Sequence, residues 1–192
     1  MVEYKRNLYD CENLANSINS NRKELIMELA IKNKWISLGG SSVVQDLNGN
    51  DVLKVKGKVF TFTSKKFVTD LEDNVKYVVR RQFFYLFRRK ARIYDANNNQ
   101  VALVSRKVLS LHDRYFVESS LGNLKIMGNI FQFNYQILLD GKEIGHIARK
   151  ISLRDSFVLT IDDNFDYNLF VALVIAIDNI TDKRDQDHSS NN

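Results

Sequence analysis

Apolar and polar positions follow a pattern that recurs six times along this chain. An apolar stretch leads through a short break into a second apolar stretch and then to an acidic residue. The copies run from Ile31 through Leu38 to Asp46, from Val55 through Phe62 to Asp70, and from Val79 through Leu86 to Asp95. They continue from Val104 through Leu111 to Glu118, from Ile126 through Phe133 to Asp140, and from Ile147 through Arg154 to Asp162. Successive copies start 24, 24, 25, 22 and 21 residues apart. A fixed period of this size reports architecture, because each copy is one supersecondary unit that must lean on its neighbours. Two strands per copy predict about twelve antiparallel strands.

The acidic residues open turns. Asp46 leads into Asn48-Gly49-Asn50, Asp70 into Asp73-Asn74, Asp95 into Asn97-Asn98-Asn99, Glu118 into Gly122-Asn123, and Asp140 into Gly141. Asn, Asp and Gly tolerate the positive φ of tight hairpins. The chain has no proline, so these residues make the turns alone. After Asp162 the pattern changes, and Asp163 to Asn168 lead into the apolar run Leu169 to Ile177. An all-apolar run implies burial on every side. Nine residues do not separate a buried strand from a helix by periodicity. Ala172, Ala176 and a capping Asp166 favour the helix, over about 166–180. Eight strands close a barrel that side chains fill, and a wider one needs a plug. The expected fold is therefore all-β with one central helix, a twelve-stranded antiparallel closed barrel threaded by its own C-terminal segment.

The repeats, the turn Asp46 to Asp51, the run Lys107 to Tyr115, and Ile161 to Asp166 leading into Ala172 to Asp178 resemble the LURP-one-related family. That family belongs to the tubby C-terminal-like superfamily, with the phospholipid scramblases as further relatives. The resemblance implies a twelve-stranded barrel around a hydrophobic helix, as the strand count does. It also implies a binding role, since tubby domains bind phosphoinositides, scramblases act on membrane lipids, and plant relatives appear in defence.

Composition fits one barrel domain over residues 25–180. Residues 1–24 form a polar extension with a short helical pattern from Asp10, read as a lid or an arm; residues 181–192 have nothing to bury and read as a disordered tail. A lone cysteine, Cys11, fits a reducing compartment, and Met1 to Arg6 lead into no signal-peptide core. The expected location is cytoplasmic, peripheral at a membrane if lipid is the ligand. The Asn, Lys and Ile content suggests an AT-rich bacterial genome. No apolar run reaches the ~18–20 residues that cross a bilayer as a helix.

Charge is unevenly placed. Residues 52–118 carry fifteen Lys/Arg against six Asp/Glu, a surplus of nine, whereas the whole chain has a net charge of +5. The cations cluster at Lys65, Lys66, Arg80, Arg81, Arg88, Arg89, Lys90 and Arg92. Joined on one face they would draw anionic membrane lipid, with nucleic acid ranked below it. The alternatives are a solvated outer wall and a protein-interaction barrel. Neighbours in a strand point to opposite faces, so one member of each doublet belongs at a strand end, in a bend, or inside with a carboxylate partner. Asp178, directly after the apolar run, needs a donor at the barrel mouth.

Catalytic chemistry is not expected. His112, His146 and His188 have no zinc spacing, and no Gly-x-Ser-x-Gly elbow or phosphate loop occurs. No cofactor is implied. Asp162, Asp163 and Asp166 form a weak calcium candidate. A strand-ending turn and a helix cap explain the same three residues.

Overall fold

In the computed structural model, which describes residues 26–32, 41–57, 65–82, 90–106, 113–129, 134–150 and 156–181, the repeats form twelve strands and one helix. The strands are β1 (Ile26–Lys32), β2 (Ser41–Gln45), β3 (Asp51–Gly57), β4 (Lys66–Thr69), β5 (Val75–Gln82), β6 (Lys90–Asp95), β7 (Gln100–Arg106), β8 (Asp113–Ser119), β9 (Gly122–Asn129), β10 (Asn134–Leu139), β11 (Lys142–Lys150) and β12 (Ser156–Asp162); the helix is α1 (Tyr167–Thr181). Every strand pairs antiparallel with its chain neighbour, and β1 closes the barrel between β12 and β2. The closing seam is uneven: seven register pairs join β1 to β12, and Ala30↔Gln45 and Ile31↔Val44 join it to β2. The expected fold is the observed one. The N-terminal pattern from Asp10, Arg88, Arg89, His112 and the tail beyond Thr181 lie outside the described residues.

Three turns share one construction. Asp46, Asp70 and Asp95 each clamp the asparagine four residues on. Asn50, Asn74 and Asn99 donate their backbone N–H to one carboxylate oxygen at 2.9, 2.8 and 2.7 Å, and their side-chain amides to the other at 3.0, 2.9 and 3.0 Å. The residue before each asparagine takes positive φ: Gly49 at 84°, Asp73 at 70° and Asn98 at 65°. Asp and Asn tolerate this region better than other side chains do.

These turns lie at one rim of the barrel, and α1 starts there after β12. Asp166 caps it: the backbone carbonyl accepts from Leu169 and Phe170 N–H, and Oδ1 accepts from Asn168 N–H. All residues from Leu169 to Ile177 are buried, as is Ile180. The fifteen-residue helix is about 22 Å long, and a seven-residue strand spans about 23 Å, so α1 reaches from rim to rim. It packs against β4, β5, β6, β7 and β12. Within β8 and β10, farther from the helix, the buried Tyr115 and Tyr135 meet edge to face at 5.9 Å and occupy the interior there.

The second rim collects the ends of β3, β5 and β7 and the starts of β2, β4 and β12. Buried Ser42, Lys66, Arg106 and Ser156 sit at this rim, where Lys66 reaches Asp178 in the C-terminal turn of α1.

Candidate anion-binding face

The register decides which cation faces where. Val79, Ala91 and Ile93 are fully buried and point inward, so Arg80, Lys90 and Arg92 point out. Arg80 pairs directly with Arg92 across the β5–β6 ladder, Gln82 with Lys90 and Val78 with Tyr94. Lys66 pairs with Val79, which puts the preceding Lys65 beside Arg80. Lys65, Arg80, Arg92 and Lys90 therefore share the outer wall of β4–β6. Lys65 and Lys90 also engage other groups.

The Arg80 guanidinium carbon lies 4.5 Å from the centre of the Tyr94 ring, and Nη2 donates to Asn98 Oδ1 at 2.8 Å. Lys65 Nζ lies 5.0 Å from the centre of Phe67. The Nε atoms of Arg80 and Arg92 are enclosed and make no hydrogen bond. Among the described residues, neither arginine forms an ion pair. Nearby lysines differ: Lys54 and Lys56 converge on Asp73 at 3.1 and 2.7 Å, and Lys76 meets Asp70 at 3.1 Å.

The other doublet members turn inward. Lys66 is buried on the inner face of β4, with Nζ 3.3 Å from Asp178 Oδ2 on α1. It is the donor that Asp178 requires. Arg81 stands opposite the buried Ala91 on the inner face and has a partner of its own. Of the eight cations singled out from the sequence, the structure brings Lys65, Arg80, Lys90 and Arg92 together, and turns Lys66 and Arg81 away from them. Tyr94 and Asn98 complete the face; sequence reading did not single out Asn98, although its place in an Asp-x-x-x-Asn turn is a usable signal.

The turn rim is the acidic pole. The Asn74 amide, with smaller help from its N–H and from Lys76, holds the Asp70 carboxyl at about 2 against the desolvation that raises it. The Asn50 and Asn99 amides lower Asp46 and Asp95 in the same way. Lys56, then Lys54, lowers Asp73. Asp162 is lowered by the Asn164 N–H and amide, and Tyr77, donating to Asp166 Oδ2 at 2.6 Å, is raised first by burial and then by that carboxylate. Asp162 and Asp166 thus serve separate local donors. Among the described residues no group of three His, Cys, Asp or Glu side chains is placed to hold a metal ion.

His146 faces Thr160 across β11–β12, beside a shallow cleft lined by Ile26, Ile144 and Asp162. Among the described residues no helix is long and apolar enough to cross a membrane.

Comparison with curated proteins finds no match. The X-ray structure of a protein from Arabidopsis thaliana aligns with a TM-score of 0.57 over 82% of this chain and 92% of its own, at 20% identity, and is alike in fold. The LURP-one-related family profile matches residues 27–178, from β1 to the Asp178 that Lys66 holds. The barrel, its threaded helix and this match together show that the chain belongs to the LURP-one-related family, whose tubby-like barrels are generally non-enzymatic.

Proposed function

We propose that this protein is a non-enzymatic binding module whose β4–β6 outer wall takes anionic phospholipid headgroups, as a cytoplasmic protein held peripherally at a membrane. One observation carries the reading: Arg80 and Arg92, both half-buried, stand directly opposite each other on the outer wall with no acidic partner among the described residues. Like charges directly opposite in a ladder destabilise a sheet. A wall kept only for solubility would interleave acids, as Asp73 does between Lys54 and Lys56. An external anion removes the repulsion, and a surface cation contributes about 1 kcal/mol to binding at an anionic membrane. Family membership supports a binding role and leaves the ligand to the residues of this wall.

Co-sedimentation with phosphatidylcholine vesicles and with phosphatidylserine-containing vesicles, across a salt series, tests this. Binding confined to the anionic vesicles and weakening steeply with salt is expected. Equal partition to both vesicle types, or a tighter complex with nucleic acid in a parallel shift assay, would overturn it.

A further inference from the structure

We infer that the Arg80–Arg92 pair is a seat for one phosphomonoester group, a reading that rests on the proposed anion-binding wall and names the chemistry it selects. Side chains directly opposite in an antiparallel ladder start about 5 Å apart at Cβ, so both guanidiniums can close on a single group. Arg80 is already aimed. Its cationic end is stacked on Tyr94 and tied to Asn98, and Asn98 is itself fixed in the β6–β7 turn, at φ 65° with its N–H on the Asp95 carbonyl at 3.1 Å. With both Nε atoms enclosed and Arg80 Nη2 on Asn98, the remaining terminal N–H groups are the donors left for a ligand. A site whose cation is held before the ligand arrives loses less freedom on binding.

The ligand class follows from charge and oxygen count. Two guanidiniums with no described carboxylate between them present two positive charges. A phosphomonoester carries close to two negative charges at neutral pH and three terminal oxygens that accept hydrogen bonds. Each arginine fork can then engage the group with its own donors. A phosphodiester brings one charge, and a carboxylate brings one charge and two oxygens. Lys65 and Lys90 flank the pair along the same wall and favour a ligand with further negative charge around the phosphate.

The test uses the full chain in two arms. In the first, arginine Nε–H NMR signals are followed during titration with glycerol 2-phosphate, a monoester, and dimethyl phosphate, a diester. Saturable shifts at Arg80 and Arg92 are expected, with the monoester bound about fivefold more tightly or better, the gain expected from one extra charge at close range. Arg80→Gln and Arg92→Gln should each abolish the saturable response. Arg80→Lys and Arg92→Lys, which keep charge and lose the fork, should weaken it. In the second arm, vesicles bearing phosphatidic acid, a monoester lipid, are compared with phosphatidylglycerol vesicles, a diester lipid, at matched surface charge.

Monoester preference in both arms supports the seat and identifies lipid as its source. Preference in the first arm, with no binding to either vesicle, supports the seat for a soluble phosphomonoester and overturns the membrane reading. Equal binding to both vesicles, with no preference and no arginine response in solution, overturns the seat and leaves the membrane reading standing.

Discussion

Removing Lys66 should unbalance the interior. Asp178 lies in the last turn of α1 after an uninterrupted apolar run, with 20% of its side chain exposed, and Lys66 Nζ at 3.3 Å is its partner. The carboxylate also stands at the negative end of the helix dipole, where a cation is favoured and an anion is not. Lys66→Met would leave that charge without its partner in a low-dielectric setting. Breaking a fully buried pair costs about 3–5 kcal/mol. These side chains retain some solvent, 11% for Lys66, so a loss of about 2 kcal/mol is expected. For a protein of this size that lowers Tm by about 4–8 °C.

Urea unfolding of wild type, Lys66→Met, Asp178→Leu and the double variant closes a thermodynamic cycle. Each single variant should unfold at lower urea with an unchanged slope, and the double variant should recover most of the loss, because two apolar groups leave no orphan charge. If Lys66→Met matches wild type, or if the two losses simply add, the pair does not hold the helix and the reasoning fails.

Two further outcomes follow from the geometry. A Cβ on Gly128 would press on the Asn134 carbonyl oxygen and stand 2.7 Å from Tyr135 Cα, atoms of the paired strand that cannot step aside. Gly128→Ala should therefore cost about 3 kcal/mol in chemical denaturation, whereas Gly49→Ala, with open space around it and φ 84°, should cost about 1 kcal/mol; equal losses would contradict the packing. Asp70 is held at about 2, below its ordinary 3.8, chiefly by Asn74. A carboxyl depressed on folding stabilises the protein above its ordinary value and loses that contribution as pH falls toward the depressed one. Asn74→Ala should raise the Asp70 titration midpoint seen by carboxyl NMR and remove part of the acid sensitivity between those two values. An unchanged midpoint would show that the amide clamp is not the cause.

The hairpins were legible because their chemistry is local. Asp46, Asp70 and Asp95 announce turns, and the asparagine four residues later closes each one within a single loop. The helix was legible for the same reason, since Asp166 caps it and nine apolar residues follow. The facing of the basic doublets was not. It depends on register, and bulges between Val68 and Thr69 and between Ile93 and Tyr94 shift that register without a sequence mark. Sequence showed that Asp178 needs a donor, yet could not choose one 112 positions away. The Tyr77–Asp166 bond spans 89 positions and was equally hidden. Alternation did require one cation of each doublet to turn away, and Lys66 and Arg81 are the ones that do.

The claim that location, and not net charge, makes the β4–β6 wall a binding surface can be tested by comparing two double variants of equal charge. Arg80→Gln/Arg92→Gln removes the facing arginines, and Lys54→Gln/Lys56→Gln removes two lysines already joined to Asp73. Affinity for phosphatidylserine-containing vesicles, measured by co-sedimentation at low salt, should fall about thirtyfold in the first, from about 1 kcal/mol for each cation. It should fall by a small fraction of that in the second. Equal losses in the two variants would contradict the account.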